Sequence, residues 1–365
     1  MSDNIDNQLA QIRSQIDHID DQILILLNER MKLVQQVGEI KRQSNAMIYR
    51  PEREKAIIDR LSAQNRGLLT KKGIEAVFME IFAISRNLEL PEAVAYLGPE
   101  GSFTHQAAES RFGALSEYHS LPNIKAVFDS VDAGRARFGV VPIENNQEGT
   151  VRETINLLNE KDVQIVAEIY MPIHFTLASK EDKISRINKI YSKDIAFRQC
   201  KNFLDEYFGD RIRRREVEII EVNSTSKAVE IASLEEHSAA ICSQIAAKLY
   251  RVPILYDNIE DSTNNRTRFV VIAKKCENNS SGYDKTTIIV KLNDQPGSLA
   301  DFLDEFRKAK INLSKIESIP AKEADKFKSL FLIDFCEHRQ HPSVSTILEK
   351  FRENIKWVGS YPQYE

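Results

Sequence analysis

From Ile5 to Ile40 the apolar residues step along the chain by fours and threes: Ile5, Leu9, Ile12, Ile16, Ile19, Ile23, Leu26, then Arg30, then Leu33, Val37 and Ile40. This rhythm is the seam of a packed α-helix. Gly38 is the single glycine in the run, and proline is absent from it. At ~1.5 Å per residue such a helix reaches roughly 50 Å. A compact helical segment covering only residues 5–90 cannot bury a seam of that length, so the pattern requires a partner helix. Pro51 opens a second helix at its first turn, where a missing N–H costs nothing. A third is expected from Lys72 to Glu89, and Pro91 marks the end of the segment.

Two further rhythms follow. Strands are expected at 94–97, 138–143, 163–169, 187–191, 217–222, 239–242 and 269–273. Helices are expected near 104–112, 123–134, 150–159, 197–208, 226–235 and 243–250. That alternation predicts an α/β fold with largely parallel sheets. The tail, 284–365, reads as strand, helix, strand, strand, helix, strand, which is the ferredoxin-like α+β order. An Asn-, Ser- and Gly-rich stretch from Cys276 to Asp284 links it to the rest. The expected units are an all-α segment at 1–91, an α/β segment at 92–276 and the α+β tail at 284–365.

Composition narrows the function. The 365 residues carry a net charge of −4 with no basic block, so neither nucleic acid nor an anionic membrane is an expected partner. Arg213, Arg214 and Arg215 are flanked by acids and read as a solvated face. No apolar run approaches the ~18 residues of a spanning helix. The polar start, Met1 to Asn7, is unlike a signal peptide. Four scattered cysteines without a CxxC pair fit free thiols in a cytoplasmic protein and give no metal site.

Arg30 occupies a seam position where Leu or Ile is expected, and Lys41 lies three turns on along the same face. A buried guanidinium needs an anion. Either a local acid such as Glu54 supplies it, or the cluster of Arg30, Lys41 and Arg53 awaits a polyanionic ligand. The run from Ile12 to Asp20, then Asn28-Glu29-Arg30, Gly38-Glu39-Ile40-Lys41 and Tyr49-Arg50-Pro51-Glu52-Arg53-Glu54, resembles the all-helical chorismate mutases over residues 5–90. By that resemblance Arg13, Arg30 and Lys41 hold the carboxylates and ether oxygen of chorismate. Arg53 adds to the field, Glu54 takes the ring hydroxyl, and Ser85 and Glu89 complete the pocket. Arg50 stands where many relatives have Asp. Arg13 and Arg30 are 17 positions apart, roughly 25 Å along one helix. Both cannot reach one small substrate from one chain, so Arg13 is expected in the site of an antiparallel partner. This implies at least a dimer with shared mutase sites.

The middle segment carries Gly98-Pro99-Glu100-Gly101-Ser102-Phe103-Thr104, Val141-Pro142-Ile143-Glu144-Asn145, Asn223-Ser224-Thr225-Ser226 and Asn265-Arg266-Thr267-Arg268-Phe269. In that order the motifs resemble the prephenate dehydratases, whose two α/β lobes hold the site in the crevice between them. The resemblance implies Thr267 at the leaving hydroxyl, Arg268 as a carboxylate anchor and Glu144 as an alternative proton source. Asn145, Gln199, Ser102, Thr104 and Ser224 are implied as polar contacts to prephenate. Asn146 replaces the usual Ser, and the stretch from Lys193 to Cys200 keeps only the end of the family pattern. His105 at a helix start is expected to be exposed, and His174 to be a satisfied structural histidine.

In the tail, Asp294-Gln295-Pro296-Gly297-Ser298-Leu299-Ala300, Ile311-Asn312-Leu313 and Lys315-Ile316-Glu317-Ser318-Ile319-Pro320 resemble the ACT domain fused to such dehydratases. The resemblance implies a phenylalanine site from Pro296, Gly297, Ser298, Leu299, Ala300, Asn312, Leu313, Glu317 and Ser318. Ile319 stands where relatives have Arg. The whole implies two reactions without cofactor or metal, chorismate to prephenate and prephenate to phenylpyruvate, under phenylalanine control. A mutase carrying a ligand-binding sensor and a non-enzymatic amino-acid sensor are the alternative readings.

Overall fold

The structure is a computed structural model describing residues 2–44, 49–89, 93–293, 295–319 and 328–363. Pro91, Asp294 and Pro320, named above, lie outside the described residues. Among the described residues no helix is long and apolar enough to cross a membrane.

The N-terminal segment is all helix: α1 (Ser2–Ser44), α2 (Pro51–Gln64) and α3 (Lys71–Glu89). The C-terminal part of α1 packs on α3, closely enough that a Cβ on Gly38 would stand 3.1 Å from the Glu89 Cα. The rest of its seam is open. Ile5, Ile12, Ile16 and Ile19 are each more than half exposed within the chain.

Next come β1 (Ala93–Leu97), α4 (Phe103–Phe112), β2 (Glu117–Leu121), α5 (Ile124–Asp132), β3 (Phe138–Asn145), β4 (Gly149–Thr150), α6 (Arg152–Glu160) and β5 (Gln164–Pro172). The chain then crosses to a second lobe. Its elements are β6 (Thr176–Ser179), β7 (Lys189–Ser192), α7 (Asp194–Gln199), α8 (Lys201–Arg213), β8 (Glu218–Glu221), α9 (Thr225–Ala232), β9 (Ser238–Cys242), α10 (Gln244–Leu249) and β10 (Ile254–Tyr256). It returns to the first lobe as β11 (Arg266–Ala273). The first sheet has the order β2-β1-β3-β11-β5, with β4 on β3, and the second β10-β6-β9-β7-β8. Side-chain oxygens of Ser102, Asn123, Ser224 and Ser243 cap α4, α5, α9 and α10.

The sheets are mixed rather than largely parallel. β1 runs parallel to β2 and β3, but β11 is antiparallel to both β3 and β5. Topology is the reason: β5 carries the chain out of the first lobe and its neighbour β11 brings it back. In the second lobe β6 pairs antiparallel with both β9 and β10. The short strands β2, β6 and β10 were not expected. In β2 the sequence Glu-Tyr-His-Ser-Leu has no buried residue to set a strand rhythm.

The tail is β12 (Asp284–Asn293), α11 (Ser298–Lys308), β13 (Leu313–Ile319), β14 (Lys328–Cys336), α12 (Pro342–Lys350) and β15 (Ile355–Pro362). Its antiparallel sheet, β13-β14-β12-β15, is the expected ferredoxin-like arrangement. One face packs under α11 and α12 through Phe302, Phe306, Val344 and Ile347. The other shares a core with the first lobe: Ile289, Leu332, Val358 and Tyr361 meet Val141, Ile165, Val270 and Ile272. Gly359 marks how close the two sheets come, since a Cβ there would lie 2.1 Å from the Ile165 carbonyl oxygen. Ile319 is buried in this shared core, which accounts for an apolar residue at that position.

Candidate functional site

α1, α2 and α3 enclose a cavity of about 830 Å³ lined by Arg30, Lys41, Arg53, Glu54, Ser85 and Glu89 among others. α3 supplies Phe82, Ser85, Arg86 and Glu89 from one stripe, at intervals of three and four residues. Arg30 Nη1 donates to Ser85 Oγ at 2.5 Å, and Ser85 donates onward to the Ile81 carbonyl. Burial and the nearby Arg53 lower the Arg30 pKa, while Glu89 opposes them. Lys41 Nζ lies 2.7 Å from Glu89 Oε2. Arg30 therefore does not pair with Glu54. That carboxylate is instead held by Arg86 and by Arg111 Nη2 at 3.1 Å. Arg111 belongs to α4, and its Nε donates to the Tyr49 hydroxyl at 2.6 Å. Glu54 thus serves the joint between the helices and the α/β segment as well as the cavity wall. Arg13, far along α1, does not line the cavity. Sequence reasoning missed Arg86, which the same stripe could have revealed. It also missed Asn279, Ser280 and Ser281, linker residues at the rim with no local signal. Arg50 lines the cavity too and pairs with Glu52.

A second cluster lies where β3, β11 and α7 meet. Asn145 and Thr267 stand opposite each other in the ladder. Asn145 Oδ1 accepts from the backbone N–H groups of Gln147 and Glu148, each at 2.9 Å. This fixes the amide's orientation, so its Nδ2 donates to Thr267 Oγ1 at 2.8 Å and to Asn265 Oδ1 at 2.9 Å. With its oxygen accepting, Thr267 has its own proton to give. Asn265 Nδ2 donates to Gln199 Oε1, and Gln199 Nε2 donates to Gln147 Oε1. Asn265 and Gln147 were assigned no role from sequence. Asn265 could have been found from its place two residues before Thr267. Asn146 bridges the same strand ends, accepting from Arg266 N and donating to the Asn264 carbonyl.

Arg268 and Glu144 are corrections. They form the next rung of the same ladder, and successive strand residues face opposite sides of a sheet. Arg268 is 3% exposed on the back face, where it meets Glu168 Oε2 at 3.0 Å, Asp334 Oδ2 at 2.6 Å and the Tyr361 hydroxyl at 2.9 Å. Burial works against its charge, but Tyr361, Asp334 and Glu168 hold its pKa well above the ordinary value. Glu144 pairs with Lys315 Nζ of β13 at 2.6 Å. Neither shares the Thr267 face.

Ser102 and Ser224 come to the seam between the lobes as helix caps. Thr104 is buried near them, and Ser226 donates to the Glu100 carbonyl across the seam. His105 is buried rather than exposed, stacked on Tyr96 at 4.7 Å and accepting from Gly101 N at Nδ1. His174 is held by Glu260 at 2.6 Å. In the tail Gly297 takes φ +90 at the start of α11. Leu299 and Leu313 each pack against the core on the helix-covered side. The register puts Ser318 on that side opposite Phe331, and Glu317 on the other, opposite Leu332.

The chorismate mutase type II family pattern matches residues 12–90, the prephenate dehydratase pattern 94–277 and the ACT domain pattern 286–355. A bifunctional chorismate mutase/prephenate dehydratase from Aquifex aeolicus is 40% identical over 363 residues, covering 98% of each chain. Its counterpart from Pseudomonas aeruginosa is 36% identical over 366 residues, again covering 98% of each. A solved prephenate dehydratase from Arthrobacter aurescens, in complex with L-Phe, aligns at a TM-score of 0.66 and 28% identity. The alignment covers 74% of this chain and 90% of that one.

Proposed function

The chain belongs to the bifunctional chorismate mutase/prephenate dehydratases, and from that premise we propose which residues carry each of its two reactions and what controls them. It rearranges chorismate to prephenate and converts prephenate to phenylpyruvate.

The first reaction is pericyclic and calls for no nucleophile. It calls for the substrate to be held compact while negative charge on the breaking ether is stabilised. Arg30, Lys41 and Arg53 supply the cationic field, with Ser85, Glu54 and Glu89 as polar walls. Arg13 enters from a second copy, which makes the working unit at least a dimer. The support is the cationic lining without Arg13 and the exposed apolar seam of α1.

In the second reaction the ring carboxylate leaves as CO₂, and its bonding pair completes the aromatic ring as the ring C–O bond breaks. The departing hydroxide takes a proton and leaves as water. Thr267 donates a hydrogen bond to that oxygen, and Asn145 holds Thr267 in the donating state. The observation that carries this reading is the 2.8 Å contact from Asn145 Nδ2 to Thr267 Oγ1, with the amide's other end fixed by two backbone donors. Prephenate occupies the seam between the lobes, near Gln199, Ser102, Thr104 and Ser224.

Phenylalanine binds the ACT domain at the turn of Pro296, Gly297, Ser298, Leu299 and Ala300, beside Asn312, Leu313, Glu317 and Ser318. A relative solved with L-Phe supports this. The three units are bounded at 1–91, 92–276 and 284–365. The protein works in the cytoplasm, in keeping with four free cysteines. The test is one incubation with chorismate, following its absorbance and then phenylpyruvate in alkali. The wild type consumes the first and yields the second, and Thr267→Ala stops at prephenate. Phenylpyruvate from Thr267→Ala at the wild-type rate would overturn the assignment.

A further inference from the structure

β3 and β11 each carry a site residue on one face and its immediate neighbour on the other. Asn145 and Thr267 face the seam, while Glu144 and Arg268 face the ACT sheet. We infer that Arg268 and Glu144 are positioning residues of the dehydratase, through which the ionic core of the ACT domain sets the placement of Thr267 and Asn145. The inference rests on the site reading above.

The joint has little slack. Arg268 and Lys285 face Glu168 and Asp334, two cations against two anions, all four almost fully buried. Such a set keeps its geometry, because any partner pulled away leaves a buried charge unpaired. Thr287 tightens it further: its hydroxyl contacts Asp334 Oδ1 and the Tyr361 hydroxyl, each at 2.7 Å. Asp334, Tyr361, Lys285 and Thr287 all belong to the ACT sheet, whereas Glu168 and Arg268 belong to the first lobe. The apolar core around them is continuous across both sheets, and at Gly359 the backbones nearly touch. A shift of the ACT sheet therefore moves the β11 backbone one residue from Thr267. Lys315 on Glu144 does the same for β3, one residue from Asn145. Displacements of about 1 Å at a reacting group cost up to about 100-fold in rate.

The test uses the full chain and substitutions that touch no residue of the seam. Tyr361→Phe removes the hydroxyl that Arg268 Nη2 reaches, and Lys315→Met removes the cation on Glu144. Each is expected to lower dehydratase kcat by about tenfold. KM for prephenate should stay within about twofold, because the loss is one of alignment rather than binding. The response of the dehydratase to phenylalanine should weaken in both, by at least about threefold. The mutase rate of the same chain reports folding and is expected to hold. If Tyr361→Phe depresses the mutase as well, Lys315→Met, at a partly buried pair, decides alone. Wild-type kcat and an unchanged phenylalanine response in folded variants would overturn the inference, as would a loss confined to KM. Thr267→Ala separates the two claims: if it stays active, the site reading has failed. If it is dead while Tyr361→Phe and Lys315→Met are normal, only the positioning role has failed.

Discussion

The proposed mutase cavity and the proposed dehydratase seam are built on opposite principles. The first is a set of fixed charges on helices, Arg30, Lys41 and Arg53, with its apolar surroundings left open along α1. The second is a chain of neutral amides and one hydroxyl, running from Gln147 through Gln199 and Asn265 to Asn145 and Thr267, closed within one chain. The difference follows the chemistry. A rearrangement that builds charge on an ether oxygen is served by cations, whose reach tolerates small displacements. A leaving hydroxyl is served by one directed donor, whose partners must fix its orientation. On the reading proposed above, one site needs a second subunit and the other needs a rigid frame.

The largest expected effect is on the charged site. Arg30→Ala removes a contact worth about 3–4 kcal/mol in the transition state, or roughly 200- to 1,000-fold in mutase kcat/KM. The dehydratase should be untouched, and a parallel loss there would merge the two sites that the comparison separates. Next is Thr267→Ala, expected to cut phenylpyruvate formation by at least about 100-fold with the mutase near wild type. Single-turnover assays with prephenate would measure it.

Gly359→Ala sharpens the comparison through stability. Its Cβ has no room beside the Ile165 carbonyl, so about 1–3 kcal/mol of overpacking strain is expected. Calorimetry should show a lower Tm, with dehydratase turnover falling more than mutase turnover. Equal losses would contradict the claim that only the amide site depends on the joint with the ACT sheet.

The smallest effect concerns Glu89. Its carboxylate accepts from Lys41 Nζ at 2.7 Å, whereas an amide at this position can accept and also donate. Glu89→Gln should therefore change mutase kcat/KM by less than about tenfold. A loss as large as that of Arg30→Ala would contradict the place given to Glu89 as a polar wall.

Part of this was legible in the sequence where a local rhythm met a misplaced residue. Arg30 on an apolar seam pointed to the cationic cavity. The ferredoxin-like order of the tail was legible because each element has its own rhythm. Arg86 was missed although it lies on the stripe with Ser85 and Glu89. Arg268 and Glu144 lie off the Thr267 face by a rule the sequence already carried: neighbours in a strand face opposite sides. Their partners lie on a different sheet and far along the chain, Asp334 and Tyr361 being 66 and 93 residues from Arg268 and Lys315 171 residues from Glu144, beyond any local signal. The mixed sheet escaped for a similar reason, since strand direction is set by where the chain crosses between lobes.

The contrast between a site shared by two chains and a site closed within one is tested most directly by subunit mixing. Arg13→Ala and Arg30→Ala are each expected to be nearly inactive as mutases. After exchange, half the dimers are mixed and each holds one intact site, so about a quarter of wild-type mutase activity should return. Asn145→Ala and Thr267→Ala, mixed under the same conditions, should restore no dehydratase activity. Silence from the first mixture, or recovery in the second, would contradict the account.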